Sequence, residues 1–148
     1  LHVKCFADKS LPGSVIKGEI EGSIDTPILI LKPRQVLMTI RPRDFSFVLE
    51  ERFPDIFSLL AEYNTKINCI QSSAVNLSIC MDSSRYLDEI IEELNAGGYR
   101  ASYNTDMELL TIRGYNAGLV QKYGEAEGVY LTQRTRRTLR VVRKRSGE

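Results

Sequence analysis

The chain has 148 residues, 43% hydrophobic and 26% charged, and a net charge of +1. That length holds one domain or two very small ones, and a nearly neutral molecule has no strong overall attraction for polyanions. No apolar run approaches the ~20 residues that cross a bilayer, and no signal peptide is visible; the opening LHVKCF begins inside an alternating pattern, as a piece cut from a longer protein would.

Leu1 to Phe6 reads as a strand, broken by ADKSLPG with Pro12 and Gly13 as turn residues. Ser14 to Ile16 is a second short extended piece. Residues 17–26, KGEIEGSIDT, read as an exposed connector, and Ile28 to Leu31 as apolar and extended. From Gln35 a strand begins in which Val36, Met38 and Ile40 alternate with Leu37 and Thr39, so both faces are partly buried. A long loop, Arg41 to Arg52, leads to a helix with Pro54 in its first turn. Phe53, Ile56, Phe57, Leu60 and Tyr63 form its apolar stripe, and Asn64 is placed to stop it.

The most informative stretch is TKINCIQSSAVNLSICMD, Thr65 to Asp82. Two extended runs meet at a short polar turn. In the second, Val75, Leu77, Ile79 and Met81 alternate with Asn76, Ser78, Cys80 and Asp82, the period of two of a strand with one buried face. A second helix follows, with Ser83 or Ser84 as cap, the stripe Leu87, Ile90, Ile91 and Leu94, and Gly97 and Gly98 at its end. Tyr99 to Tyr103 supplies the last strand.

Strand, helix, strand, strand, helix, strand is a split βαβ unit of ferredoxin-like α+β class. Right-handed crossovers put both helices on one face of a four-stranded antiparallel sheet, with Thr65–Ile70 at its edge. After Asn104 the pattern restarts. Glu108 to Arg113 is a strand, Ala117 to Tyr123 a short helix, and Val129–Thr132 and Thr138–Arg143 are strands around QRTRR. This second unit lacks a late helix, and the N-terminal strand Leu1–Phe6 is expected to complete it. The organisation read from the sequence is thus a first unit over 35–104, a truncated second unit from 1–16 and 107–145, and a connector over 17–34.

The chain has no phosphate-binding glycine loop, HExxH, EF-hand loop or GxSxG elbow. Cys5, Cys69 and Cys80 are odd in number and form no CxxC, which disfavours a disulfide framework or zinc site and fits a cytoplasmic location. No catalytic and no metal-ligating residues are assigned. Three features could bind a partner. The Arg41–Arg52 loop brings backbone amides to a helix N-terminus. Asn68, Gln71, Ser72 and Ser73 put polar groups on an edge strand and its turn. A basic tail runs through Arg134, Arg136, Arg137, Arg140, Arg143, Lys144 and Arg145. Split βαβ folds also bind RNA by stacking bases on exposed aromatics of the central strands; QVLMTI and AVNLSICMD carry none.

These residues resemble the C-terminal regulatory region of aspartokinases. LHVKCFADKSLPGSVIKG is similar to the family's strand, turn and "G-T-x-I" stretch at Gly13, Ser14 and Ile16. VLMTI, RFPDIFSLLAEYNTKINCIQSSAVNLSICMD and MELLTIRG follow the family's order of pieces, with Phe53, Ile56, Phe57, Leu60, Ile67, Asn68, Ile70 and Ser73 on its pattern. The resemblance implies tandem ACT domains, the first inserted into the second, that sense an amino acid such as lysine or threonine and form a homodimer through their edge strands. It places effector contacts at Asp44, Phe45, Ser46 and Phe47 and at Asn68, Gln71, Ser72 and Ser73. It implies a kinase domain before Leu1 as a further partner, to which ATP and Mg would belong, so that this segment carries no cofactor. Lysine-responsive relatives have an aspartate where Asn68 stands, a glutamate at Ala74 and a glycine at Arg52. The alternatives are a dimerisation module without effector and a nucleic-acid-binding βαββαβ module; the expectation is no nucleic acid and no membrane.

Overall fold

Two strands of 15 residues, β3 (Ile28–Pro42) and β6 (Tyr99–Arg113), pair antiparallel over nearly their whole length, from Ile28 opposite Arg113 to Pro42 opposite Tyr99. The computed structural model describes residues 2–16, 26–43 and 49–145. Within them, β3 and β6 join a six-stranded antiparallel sheet with β4 (Ile67–Ser72), β5 (Leu77–Asp82), β7 (Val129–Arg134) and β8 (Thr138–Lys144), in the order β4-β5-β3-β6-β8-β7. The sequence suggests breaks at Lys32–Arg34 and Asn104–Asp106, but the backbone runs on through both as bulges. The register slips on either side of Gln35, and Arg34 and Asp106 adopt positive φ, 54° and 56°. An extra residue bends a strand without ending it, and Pro33 is tolerated at such a bulge.

The first half is β3, α1 (Phe53–Glu62), β4, β5, α2 (Leu87–Ala96) and the start of β6, the expected βαββαβ order. Val36, Met38 and Ile40 of β3, Leu77, Ile79 and Met81 of β5, and Ile56, Leu60, Leu87, Ile90 and Leu94 of the helices form one core. Pro54 stands in the first turn of α1, and Asn64, at φ 50°, ends it while its amide donates to Ala61 O (2.9 Å). Ser84 accepts the Tyr86 amide (3.2 Å), but α2 begins at Leu87 with no side-chain cap. The stripe residues Leu87, Ile90 and Leu94 each contribute roughly 1.5–3 kcal/mol by burial.

Val75 departs from the expected inward row and is 52% exposed. It lies in the turn before β5, which Ser73 closes by donating its amide to Asn76 O (2.8 Å) and accepting the Asn76 amide on Oγ (3.2 Å). The strand is also buried on both faces rather than one. Cys80 is fully covered, together with Leu37 and Cys69, by Met107, Leu109, Leu131 and Val142 of the second half.

That contact requires the sheet to fold over. In a flat sheet β4 and β7 would lie about 24 Å apart, five spacings of ~4.8 Å. Yet Gln133 of β7 donates Nε2 to Ile70 O of β4 at 3.0 Å, and Cys69 Sγ lies 3.5 Å from Gln133 Oε1.

The second half has the strand order β3-β6-β8-β7, repeating the β6-β3-β5-β4 order of the first. A short helix α3 (Ala117–Leu119), capped by Asn116 Oδ1 on the Leu119 amide (2.9 Å), and the turn Val120–Gly124 cover Leu110, Ile112, Leu139 and Val141. Its fourth strand is not the N-terminal one. Ile28–Lys32, read as connector, fills that place against Leu109–Arg113. The N-terminal strand β1 (His2–Val3) pairs instead with β2 (Ser14–Val15) as a separate two-stranded sheet.

Ile90→Ala should cost about 2–5 kcal/mol in urea unfolding, as cavities in such cores do, and Ile90→Asp should leave the chain unfolded. Val75→Ala should change stability by less than about 0.5 kcal/mol.

Candidate functional site

Four polar side chains from three strands meet where the sheet bends. Gln35, 1% exposed, is directly opposite Asp82 in the β3–β5 register. Its Nε2 donates to Asp82 Oδ1 (2.9 Å), and its Oε1 accepts from Asn68 Nδ2 (2.7 Å) and from Cys80 Sγ (3.5 Å). Asn68 Nδ2 also reaches Asp82 Oδ1 (2.7 Å). Lys32 Nζ, from the other side of the β3 bulge, donates to Asn68 Oδ1 (2.9 Å) and pairs with Asp82 Oδ1 (2.7 Å). Asp82 Oδ1 thus accepts from three side chains. Burial alone would raise its pKa, but the hydrogen bonds from Lys32, Gln35 and Asn68 and the Lys32 charge outweigh it and hold the carboxyl down to about 2.

This group includes one of the expected effector contacts, Asn68, and its amide already has partners on both ends. Gln71 and Ser72 lie further along β4 and are exposed. The Ser73 hydroxyl is engaged in the turn, accepting from the Asn76 amide. Asp44, Phe45, Ser46 and Phe47 lie outside the described residues. Lys32, Gln35 and Asp82 were not singled out from the sequence. The available signal was Gln35, the polar opening of the apolar run QVLMTI, at a depth where an amide needs partners.

The basic tail is not a free strip. Arg143 Nε donates to the buried Glu108 Oε1 (2.7 Å) across β6 and β8, and Arg140 reaches Gln133 Oε1 (3.4 Å). An open groove of about 380 Å³ between α1 and α2, lined by Asp55, Leu59, Glu62, Glu93 and Tyr99, does not touch the Asn68 group. No helix among the described residues is long and apolar enough to cross a membrane.

No protein-family model matches the chain, and no curated protein sequence matches it either. Solved structures do. A structure described as a candidate C-terminal regulatory domain of aspartate kinase from Porphyromonas gingivalis matches over 81% of this chain and 87% of its own, with a TM-score of 0.69 and 14% identity. The regulatory subunit of aspartate kinase from Thermus thermophilus, ligand-free, matches over 82% of this chain and 89% of its own (TM-score 0.55, 14% identity). This chain has the fold of the aspartate kinase regulatory region. Escherichia coli aspartokinase III, in complex with lysine and aspartate, matches over 77% of this chain but only 28% of its own length (TM-score 0.59, 19% identity). The ACT-type α+β fold expected from the sequence is therefore present.

Two measurements follow from this site. A carboxyl depressed in the fold stabilises above its unfolded pKa and loses that contribution as pH falls through its folded value. Asp82→Asn should therefore lower stability by about 1 kcal/mol near pH 7, allowing for a side chain about a third exposed. In urea unfolding the gap to wild type should close as pH falls from about 4 towards 2. For the thiols, burial pushes Cys80 up to about 12 and Cys69 upward, while Cys5 is exposed. Only Cys5 should react with a thiol reagent in the native state, and all three cysteines once the chain is unfolded.

Proposed function

We propose that this chain is an amino-acid-sensing regulatory module of an aspartate kinase, without catalysis of its own. The observation that carries the reading is the pair of ACT-type halves built on two shared strands. That architecture aligns over about four-fifths of the chain with regulatory domains and subunits of such kinases. The kinase activity, and its ATP and Mg, would belong to a separate domain or subunit. An effector acts through its different affinity for two states of the assembly.

The chemistry at Asn68 favours an effector with an uncharged side chain, such as threonine, over lysine. Asn68 is neutral, and the Lys32 ammonium already sits 2.9 Å from its oxygen. A second ammonium brought there would meet like charge and no unpaired carboxylate. Gln71 and Ser72 are left to receive the effector's polar groups. Isothermal titration with threonine, lysine and methionine should give saturable heat with threonine and less or none with lysine. Tighter binding of lysine would refute this choice of effector.

One observation favours a second reading, an architectural module without effector: the polar ends of Asn68 and the hydroxyl of Ser73 are already engaged within the chain. Heat with none of the three amino acids would decide for it.

A further inference from the structure

β4 carries an extra residue, and it decides where Cys69 points. Ile67 stands opposite Met81, and Cys69 stands opposite Cys80, so Asn68 is the bulge between them. In regular register Cys69 would stand opposite Ile79 and share its face. The one-residue slip turns it to the other face. Ile67 accordingly packs on the core beneath the helices, whereas Cys69 lies with Cys80 in the core between the layers. Two free thiols, 3% and 0% exposed, are thus set side by side on neighbouring strands.

Residues directly opposite in an antiparallel pair have Cα atoms about 4.5 or 5.5 Å apart. Both values lie within the ~4.4–6.8 Å that a disulfide spans. The Cβ atoms start wider, about 4.5–5.5 Å, against ~3.5–4.5 Å in a disulfide. The bond therefore forms under some strain and is readily reduced again. In the reduced chain the sulfurs bond elsewhere, Cys69 Sγ to Gln133 Oε1 and Cys80 Sγ to Gln35 Oε1, each at 3.5 Å. Loss of both S–H donors orphans neither amide, because Gln133 Oε1 keeps Arg140 and Gln35 Oε1 keeps Asn68.

We propose that Cys69 and Cys80 form a modification site at which a small disulfide of the glutathione type reversibly creates a cross-strand bond. Access comes through β7, the last strand in the sheet order, which covers the pair with Leu131 and reaches β4 through Gln133 and Ile70 O. Such a strand lifts at lower cost than global unfolding. The exchange proceeds from that opened form and not from the closed state, in which Cys5 alone is exposed. Cys69, on the outer strand β4, reacts first. Burial raises both thiols, but at Cys69 the Arg140 guanidinium works against it, whereas at Cys80 the neighbouring Cys69 and Asp82 add to it. The Cys69 thiolate attacks one sulfur of the small disulfide, whose S–S bond breaks and releases one thiolate. The Cys80 thiolate then attacks the Cys69 sulfur and expels the second. The two protein thiols lose two electrons, and their two protons go to the two small thiols released. The new bond ties β4 to β5 next to Asn68.

The test uses the full chain in a Cys5→Ser background, which removes the exposed thiol. It is incubated with oxidised glutathione where circular dichroism shows the fold intact, then quenched in acid, alkylated and weighed by mass spectrometry. The chain should become lighter by two hydrogen atoms, with Cys69 linked to Cys80 in the peptide map, and dithiothreitol should reverse the change. The oxidised form should unfold at higher urea, because the bond restricts the unfolded chain. Adding Cys80→Ala should stop the reaction at a glutathione adduct on Cys69, and adding Cys69→Ala should leave Cys80 free over the same period. Gln133→Ala, which loosens β7 from β4, should speed oxidation several-fold. A chain that stays reduced while folded but oxidises in urea, an adduct on Cys80 in preference to Cys69, or an oxidation rate equal to the rate of global unfolding would each overturn the proposal. The mass readout is independent of whether the chain binds an amino acid.

Discussion

β3 and β6, paired along nearly their whole length, hold both halves of the molecule together. Each strand serves both halves: its first part belongs to one four-stranded layer and its second part to the other. The two bulges, at Arg34 and Asp106, lie nearly abreast, so both strands turn together and the sheet folds back on itself. Without that bend Leu37, Cys69 and Cys80 would face water, and Leu109, Leu131 and Val142 would have nothing to cover. With it, these side chains form a shared core between the layers. Residues that accept a left-handed backbone are rarely arginine, and the surrounding contacts hold this one in place. The Ser83 amide donates to Arg34 O (3.0 Å), and the Arg145 amide to Asp106 O (2.8 Å).

The polar group at the bend follows from the same geometry. A strand that bulges presents side chains out of register, and Gln35 is thereby turned into the interior. A buried amide must be satisfied, and Asn68, Cys80 and Asp82 do so. Lys32, on the far side of the bulge, returns to close the group over Asp82. The network therefore links β3, β4 and β5 at the point where the layers diverge. Asn68 thus belongs both to β4, the strand expected to contact an effector, and to the bend.

Much of the first half was legible because its signals are local. The 3.6-residue stripes of Ile56, Leu60, Leu87, Ile90 and Leu94, the stop at Asn64 and the alternation through Ile79 and Met81 all correspond to observed elements. What was not legible depends on distant partners. Cys80 looked like the polar side of a half-exposed strand, and only the second layer, 27 or more residues away in sequence, buries it. Lys32-Pro33-Arg34 and Asn104-Thr105-Asp106 carry the residue types of a turn, and the sequence has no marker that tells a bulge from a break. The same ambiguity gave the fourth strand of the second half to the N-terminus, because Ile28–Leu31 seemed to end where the polar residues began. Of the candidate site, Asn68 was identified but its partners were not. Gln35 and Asp82 are 47 residues apart and meet only through the strand register.

Two ACT-type halves form one cooperative body because they share their longest strands. Native-state hydrogen exchange tests it most directly, by comparing the amides of Leu37–Thr39, inside the first half, with those of Leu109–Thr111, inside the second. Both sets should open only by global unfolding, with opening free energies that agree within about 1 kcal/mol and respond alike to denaturant. Opening of Leu109–Thr111 at several kcal/mol lower cost, with Leu37–Thr39 still protected, would show two independent units and contradict it.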